Sequence, residues 1–244
     1  MKQFEAVIKV MEANGGYCTL GFLNQEVLKI EGCNWKSKTP FASIRRIVQD
    51  ERFFFKIRPG LWALNSHINN LPSDILPSAG QSEKKQIEFD HSYYQGLLVE
   101  MGNLKSFETY VPNQDKNKLF LGKKLSEIAT VADIYNFGYE SMLKRAKTVD
   151  VVWFNKRLMP TKLFEVEHST DIQNSLLKFL ELQDFYIDFF IVADKVRKPE
   201  YESKLSYTAF SDIKNRIKFL TYEDLSELHT KTYQTVTIER EYNL

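Results

Sequence analysis

The sequence contains little cysteine, no long apolar run and no recognisable targeting segment. Cys18 and Cys33 form no CxxC pair, so neither a disulfide framework nor a zinc site of the usual spacing is expected. No stretch approaches the roughly 20 apolar residues of a membrane-spanning helix. The first residues, Met-Lys-Gln-Phe-Glu, lack the apolar region of a signal peptide. These absences predict a reduced, soluble, cytoplasmic protein without a membrane partner.

Net charge is also nearly absent. The formal value is +1, so no global field attracts the chain to nucleic acid or to a membrane, and any basic surface must be local. The chain is rich in apolar residues, which make up 43% of its 244 positions and can form a sizeable core. That is enough for one large domain or two modest ones.

A change in composition between residues 65 and 90 indicates a linker. The stretch contains Pro72, Pro77, Gly80 and the charged run 83–85, which are typical of a connection between folded segments. We therefore predict an N-terminal domain over residues 1–66, a linker over 67–90 and a C-terminal domain over 91–244.

Three helices and a β-hairpin are predicted before this linker. Apolar residues recur at helical spacing in residues 4–11 and 20–30, and again after Thr39-Pro40, where threonine suits a cap and proline the first helical position. Two strands follow at 52–57 and 60–64, joined around Pro59-Gly60. This order predicts a winged-helix arrangement.

The same segment resembles a known family. The run Gly15-Gly-Tyr-Cys-Thr19, the helix after Pro40 and the ending Arg58-Pro-Gly-Leu-Trp-Ala-Leu64 are similar to a HARE-type helix-turn-helix domain, over roughly residues 1–65. The resemblance implies contact with DNA, including sensing of modified bases, or contact with chromatin or polymerase proteins.

Three carboxylates fall at the ends of two adjacent apolar runs. Asp150 opens the run 149–154, and Glu165 and Glu167 close the run 162–167, with a turn-like stretch between them. This pattern predicts a β-hairpin, and alternation along the second strand puts Glu165 and Glu167 on one face. Burying three negative charges together is costly without a cation, so a divalent metal is the simplest partner to expect. The alternatives are a solvated edge strand for the glutamates and a turn position for Asp150.

The elements after the linker are predicted in the order α-β-β-β-α-β-α-β, with an insertion over residues 112–147. An aspartate followed by Glu-x-Glu within αβββαβ resembles the PD-(D/E)XK nuclease superfamily, over about residues 91–230. The chain departs from that family at Glu167, which stands where a lysine is usual, although some type II restriction enzymes also carry glutamate there. The fold class implied is α/β (α+β), a winged helix followed by a restriction-endonuclease-like mixed sheet.

The resemblance implies roles for these residues. Asp150, Glu165 and the backbone carbonyl of Val166 are expected to bind one or two Mg²⁺ ions, which prefer oxygen ligands. Glu167 would orient or deprotonate the attacking water, or bind a second metal. The expected cofactor is therefore Mg²⁺, and the expected catalytic residues are Asp150, Glu165 and Glu167.

Further residues near the strand and helix ends are candidates for accessory roles. Glu100 lies on the apolar stripe of the first helix of this domain, where a structural or solvent-exposed role is the stronger alternative. Lys162 and Lys195 can replace the charge of the missing lysine, and Gln173 can touch substrate. The remaining histidines, His67, His91 and His229 among them, fall in no recognisable constellation, and His168 beside the acidic pair is treated as a bystander.

A local basic surface is predicted between residues 36 and 58. This stretch holds seven basic residues, Lys36 among them, and two acidic ones, and the alternative to DNA binding is an ordinary solvated helix face. The expected DNA contacts are Lys38, Ser43, Arg45, Arg46, Gln49, Lys56 and Arg58. The lysine-rich insertion 112–147 is expected to add a second DNA-contacting surface.

Together these features predict a Mg²⁺-dependent endonuclease of restriction type that cleaves double-stranded DNA in a site-specific or modification-dependent fashion. A homodimer is expected because cutting both strands needs two sites, and the resemblance implies a cognate DNA methyltransferase in the same host. One alternative is a catalytically inactive nuclease-fold DNA-binding regulator. Another is a protein-interaction module in which the winged helix docks on a partner protein.

Overall fold

Two compact units make up the chain. The computed structural model describes residues 1–35, 37–76 and 82–242. The N-terminal unit comprises Met1–Ala79 together with Ser226–Leu244, and the sheet unit comprises Gly80–Leu225. The sequence analysis assigned residues 226–244 to the C-terminal domain, whereas their contacts group them with the N-terminal unit. The boundaries 1–66, 67–90 and 91–244 remain a prediction, and Pro77 and Gly80 lie outside the described residues.

The N-terminal unit contains the expected helices and hairpin plus one further strand. Its elements before residue 80 are α1 (Gln3–Ala13), β1 (Tyr17–Thr19), α2 (Leu20–Glu26), α3 (Pro40–Ile47), β2 (Phe54–Arg58) and β3 (Leu61–Leu64). The strands form an antiparallel sheet in the order β1-β3-β2. The sequence analysis gave β1 no strand, because three residues are too short for a period to be read. The winged-helix and HARE-type assignments stay predictions.

Local signals explain where the helices of this unit begin. Thr19 caps α2, since its hydroxyl accepts a hydrogen bond from the Phe22 amide at 3.2 Å. Pro40 occupies the first turn of α3 as predicted, but Thr39 makes no side-chain cap bond. Apolar faces of the three helices then bury a shared core that includes Val7, Leu23, Ile44 and Phe54.

The sheet unit is built from a long helix, a central sheet and flanking helices. Its elements are α4 (Glu83–Leu104), β4 (Glu108–Tyr110), β5 (Leu119–Phe120), β6 (Lys123–Lys124), α5 (Leu125–Ile128), α6 (Glu140–Ala146), β7 (Val151–Phe154), β8 (Pro160–Glu167), α7 (Ile172–Leu180), β9 (Asp188–Ala193), α8 (Lys198–Leu205), β10 (Ile217–Thr221) and the start of α9 (Tyr222–Glu241). Residues 83–90, predicted as linker, therefore form the first turns of α4.

The central sheet has five strands in the order β10-β9-β8-β7-β4. β4, β7 and β8 pair antiparallel, and β8, β9 and β10 pair parallel, so the sheet is mixed. The α4-β4-β7-β8-α7-β9 order confirms the predicted αβββαβ succession and the α+β fold class. β8 lies at the centre of the sheet, with a paired strand on each side.

The hairpin of β7 and β8 is confirmed, and its turn has a clear local cause. The Asn155 side-chain oxygen accepts hydrogen bonds from the amides of Arg157 (2.9 Å) and Met159 (3.2 Å), a local bonding pattern that favours a turn. Leu158 adopts φ 59°, which lets the chain reverse tightly. The resulting register sets Val151 opposite Phe164, so Asp150 lies beside Glu165.

Both faces of the sheet are covered by apolar side chains from helices. One core of this unit gathers residues such as Phe154, Leu176, Phe179 and Phe189. α4 lies close to β5, because Gly96 has no side chain at the position that the Phe120 ring occupies. In residues 1–35, 37–76 and 82–242, none of the helices combines the length and apolar character that crossing a membrane requires.

Candidate active site

The three predicted carboxylates are buried together near one edge of β7 and β8. Asp150, Glu165 and Glu167 are 7%, 2% and 4% exposed. Because β8 is paired on both sides and Glu165 is almost inaccessible, the alternative of a solvated edge strand is wrong. The prediction that Glu165 and Glu167 share a face is confirmed, since the Ser175 hydroxyl lies within hydrogen-bond distance of both carboxylates.

Asp150 is fixed by the neighbouring strand and by α4. Its Oδ2 accepts a hydrogen bond from the Val166 amide at 2.8 Å and lies 3.2 Å from His91 Nε2. Its backbone carbonyl accepts from Gln95 Nε2 at 3.2 Å. The Asp150 carboxylate therefore has a defined orientation, which a free turn residue would lack. The backbone group of Val166 that contacts it is the N–H.

Glu165 is paired with a lysine from α7. Lys178 Nζ donates to both carboxylate oxygens, at 2.9 and 2.8 Å, and to the Thr148 carbonyl at 3.0 Å. Ser175, one turn earlier on α7, donates to Glu165 at 3.2 Å. α7 thus brings a cation to the strand position that the glutamate occupies.

Glu167 is held by hydroxyl groups and lies near an arginine. Ser175 and Thr170 both donate to its carboxylate, and Arg197 Nη1 lies 3.9 Å from Oε2. The Tyr222 hydroxyl donates to its backbone carbonyl at 3.4 Å. The side chain is therefore oriented mainly by neutral donors, which leave its proton affinity less reduced than a close cation would.

A second layer of polar groups on α4 supports Asp150. Gln95 Nε2 also donates to Asp115 at 2.7 Å, and Lys118 pairs with Asp115 at 2.6 Å. His91 and Gln95 are four residues apart, so they project from the same face of α4. This face connects the insertion between β4 and β7 to the carboxylates.

Burial and mutual repulsion leave the three carboxyl groups with unequal proton affinities. Burial alone would raise the pKa of Asp150, but His91 and the Val166 amide lower it below its ordinary value. Burial and the charge of Asp150 raise the pKa of Glu165 well above its ordinary range, although Lys178 opposes them. Burial likewise raises the pKa of Glu167. The charge of Asp150 raises the pKa of His91 against the effect of burial. Burial is the largest cause of the raised pKa values of Glu165 and Glu167, and the cations near them oppose it only in part.

The donor chemistry of this cluster fits a hard divalent cation. Its carboxylates offer only oxygen ligands. Burial and the nearby charge of Asp150 raise the pKa values of Glu165 and Glu167, and a bound cation would favour their charged forms. Within the described part of the chain, however, no three His, Cys, Asp or Glu side chains are gathered as a ready metal site. Each carboxylate faces a partner of its own instead, so a cation would compete with Lys178 for Glu165.

The predicted accessory residues lie away from this cluster. Lys162 pairs with Asp188 at 2.9 Å, and its position three residues before Glu165 puts it on the other face of β8. Gln173 accepts from Lys204 at 3.1 Å. Glu100 is nine residues after His91, which places it about half a turn round α4. Lys195 is exposed, and Arg197, two residues later, is the cation near Glu167.

The sequence analysis missed Lys178, Ser175 and His91. Ser175 and Lys178 are three residues apart on α7, among the apolar positions that face the sheet, and His91 and Gln95 are four apart on α4. Polar residues at helical spacing within a buried face are the signal that was available. Asp171 caps α7, and the hydroxyl of Thr170, one residue earlier, is used by Glu167.

A cleft of about 390 Å³ opens beside the carboxylates within the sheet unit. His91 and Thr170, which touch Asp150 and Glu167, lie in its wall. Lys84, Lys118 and His168 line it as well. The cleft therefore reaches side chains that touch the cluster, and its wall combines basic side chains with the carboxylate of Glu88.

The predicted basic surface is formed in part in the N-terminal unit. Arg45, Arg46 and Gln49 are exposed on or just after α3, Ser43 is half-buried there, and Lys38 and Lys56 are exposed nearby. Arg58 was expected to contact DNA, and this is wrong. It is 8% exposed, and its guanidinium donates to the carbonyls of Asp74 and Ile75. Lys36 lies outside the described residues.

Part of the basic insertion is neutralised internally. Arg145 pairs with Glu181 at 2.7 Å, and Lys118 with Asp115. Lys116 donates to the Ala132 carbonyl at 2.5 Å. A second DNA-contacting surface in residues 112–147 remains a prediction with fewer available cations than the sequence suggested.

Comparison with known proteins gives one consistent result. A family model of the type II restriction enzyme NmeDI C-terminal domain matches residues 72–241. The type II restriction enzyme NmeDI of Neisseria meningitidis serogroup C is 26% identical over 124 residues, covering 48% of this chain and 35% of that enzyme. The chain thus matches about a third of the length of this relative. No solved structure matches the chain.

Proposed function

Because the chain belongs to the family of the type II restriction enzyme NmeDI C-terminal domain, we propose that it is a Mg²⁺-dependent DNA endonuclease of the PD-(D/E)XK type. It hydrolyses phosphodiester bonds in a site-specific or modification-dependent fashion. The observation that supports this most is the burial of Asp150, Glu165 and Glu167 side by side on β7 and β8, next to Lys178. A purely structural cluster of this kind would be costly to maintain.

Asp150 and Glu165, with the backbone carbonyl of Val166, would hold one or two Mg²⁺ ions. When bound, the metal supplies charge neutralisation on the phosphate and a more acidic water. The protein's own contribution is orientation. The Val166 amide and His91 fix the Asp150 carboxylate, and the hydroxyl of Ser175 fixes Glu165.

Glu167 is the group that would orient the attacking water and accept its proton. Its raised pKa makes it a better base than an ordinary surface glutamate. Ser175 and Thr170 hold its carboxylate in place, and its ion-pair partner Arg197 lies 3.9 Å away, so burial still outweighs the groups that lower its pKa. This assigns Glu167 the task that the usual lysine performs in the superfamily it resembles.

Lys178 would supply the positive charge that is missing from β8. It reaches the cluster from α7, and burial does not remove its proton, because the nearby carboxylates raise its pKa. In the resting protein it neutralises Glu165. With substrate present, the same ammonium can stabilise negative charge that develops on the phosphate.

DNA would bind through two sets of cations. Lys84 and Lys118 line the cleft beside the carboxylates, and Arg45 and Arg46 are exposed on α3 of the N-terminal unit. Contacts of this kind position the phosphate backbone. Cutting both strands calls for a second active site, so a homodimer is part of the proposal. So is a cognate DNA methyltransferase in the same host.

A catalytically inactive DNA-binding regulator is the second candidate. It is favoured by the finding that each carboxylate already has a partner inside the protein and that the described residues gather no ready metal site. Metal binding separates the two functions. A regulator needs no cation between Asp150 and Glu165, whereas the nuclease does.

The deciding experiment is cleavage of modified and unmodified phage and plasmid DNA by purified protein with Mg²⁺. Asp150→Ala and Glu165→Ala are assayed in parallel, and Asp188→Ala serves as the matched control. Asp188 is also paired with a lysine but lies away from the cluster. We expect discrete fragments from the wild type and from the control only. Intact DNA on every substrate, with DNA binding retained, would favour the regulator.

A further inference from the structure

A second cavity lies in the N-terminal unit, built entirely from residues of that unit. It has a volume of about 570 Å³, which is within the range of small-molecule sites. One wall is the segment from Lys38 to Arg45, at the start of α3. The facing wall is the stretch of α9 from Glu227 to Ile238, followed by Tyr242.

The lining of this cavity combines apolar side chains with a few polar groups. Phe41 and Tyr242 contribute aromatic rings, and Leu20 and Ile238 contribute aliphatic surface. Gln234 contributes an amide with both donor and acceptor atoms. Aromatic faces with amide groups at hand are the features that bind a nucleobase removed from its stack.

Basic side chains also line this cavity. Lys38 and Arg45 line it and are exposed. Lys231 is neutralised by Glu227 at 2.7 Å, so the carboxylate does not repel an anion there as strongly as an unpaired one would. The first amides of α3 add donors, because Thr39 makes no side-chain cap bond. This positive rim suits the phosphates on either side of an extruded nucleotide.

The cavity also borders the helix that we assign to DNA contact. Arg45 belongs to both, since it is exposed on α3 and lines the cavity. A duplex held against the exposed face of α3 therefore has the opening within reach. Proximity to the DNA-binding helix favours a base over an unrelated small molecule as the occupant.

We propose that this cavity receives one unstacked nucleobase of the bound DNA. Phe41 and Tyr242 provide the stacking surface, Gln234 reads the base edge, and Lys38 and Arg45 hold the flanking phosphates. The inference rests on the proposed nuclease function, because it needs DNA at α3. It goes further by giving the N-terminal unit a site that examines a single base.

The test compares two fluorescein-labelled duplexes. One is fully paired, and the other differs only by a single unpaired adenine at its centre. Binding is measured by anisotropy in EDTA at fixed salt, so that no cleavage occurs. An unpaired base is cheaper to extrude, and stacking on aromatic rings is worth about tenfold or more in affinity. We expect the wild type to bind the unpaired duplex roughly tenfold more tightly.

The variants identify the cavity as the source of this preference. Tyr242→Ala and Gln234→Leu are expected to lose the preference while keeping the affinity for the paired duplex. Tyr242 is 72% exposed, so its removal leaves the core intact. Tyr139→Ala, at an equally exposed tyrosine (79%) of the sheet unit, is the matched control and should keep the preference.

Each outcome has a distinct meaning. Equal affinity of the wild type for both duplexes, or a preference that survives Tyr242→Ala and Gln234→Leu, overturns the base-binding cavity. If the paired duplex is nevertheless bound and cleaved with Mg²⁺, the nuclease proposal stands without it. If neither duplex is bound, both proposals fail together.

Discussion

Glu165 and Arg45 are both charged residues on elements that bury a core, yet their settings are opposite. Glu165 is 2% exposed in the middle of the sheet and is held by Lys178 and Ser175. Arg45 is exposed on α3, among other exposed polar residues of the N-terminal unit. A buried, oriented charge can act on bonds, whereas an exposed one can mainly attract and position a charged partner.

The difference predicts that the carboxylate cluster and α3 affect separate kinetic quantities. Changes in the carboxylate cluster should lower kcat and leave DNA affinity nearly intact. Changes on α3 should lower affinity and its dependence on salt, with little effect on kcat.

Asp150→Asn should lower kcat by about a thousandfold or more, because it removes a metal-binding charge without changing shape. The dissociation constant for DNA should change by less than about threefold. Single-turnover cleavage and anisotropy measure the two quantities. Asp188→Asn is the control and should cleave normally. A large loss of DNA affinity in Asp150→Asn would contradict the expectation that the carboxylates affect kcat alone.

Lys178→Met should lower kcat by about a hundredfold, since the cluster loses its neighbouring cation. It should also strengthen Ca²⁺ binding, because Glu165 no longer has an ammonium partner. Calorimetric Ca²⁺ titration and cleavage assays check both effects. Lys162→Met removes a lysine that is paired with Asp188 instead. Equal effects of the two variants would contradict an active-site role for Lys178.

Arg45→Ala/Arg46→Ala should weaken DNA binding roughly tenfold and leave kcat unchanged. It should also reduce the slope of log affinity against log salt by about 2, one for each phosphate contact. Arg52→Ala is the control, because Arg52 is exposed but neutralised by Asp50 at 2.6 Å. An unchanged salt slope in the double variant would instead support contact between this surface and a protein.

The stability of the metal-free protein should fall as the pH rises from about 5 to about 8. The pKa values of Glu165, Glu167 and His91 are raised by folding. Such groups contribute stability that is fully present below their unfolded pKa and is lost as the pH rises through the folded one. Asp150 has a lowered pKa, and its contribution is lost only at strongly acid pH.

Ca²⁺ should remove most of this loss, because a bound cation favours the deprotonated carboxylates. Thermal unfolding at both pH values, with and without Ca²⁺, measures the effect. Glu165→Gln/Glu167→Gln is the control and should show a flatter pH dependence and little response to Ca²⁺. A wild type whose stability rises from about pH 5 to about pH 8 would contradict the proposed cluster.

Much of the sheet unit was predictable because strand geometry is local. Alternation along β8 sets Glu165 and Glu167 on one face, and the Asn155 turn sets the register that places Asp150 beside them. The same argument excludes Lys162 from the cluster. Lys162 lies three residues before Glu165, and an odd number of residues along a strand places two side chains on opposite faces.

Residues supplied by helices were harder to predict. Lys178 and His91 reach the carboxylates only because α7 and α4 are rotated so that these side chains face the sheet. That rotation depends on packing across the whole unit rather than on the helix's own sequence. Arg58 was misjudged for a similar reason, since the carbonyls that bind it lie 16 and 17 residues away along the chain.

The central position of β8 has a consequence for hydrogen exchange. Its amides are bonded within a sheet that has a strand on each side, and such amides exchange only when the sheet opens. The backbone protons of residues 163–167 should therefore be among the last to exchange with deuterium. Heat should then abolish catalysis together with the unfolding of the sheet rather than before it. The catalytic carboxylates would lie in the most slowly opening part of the protein.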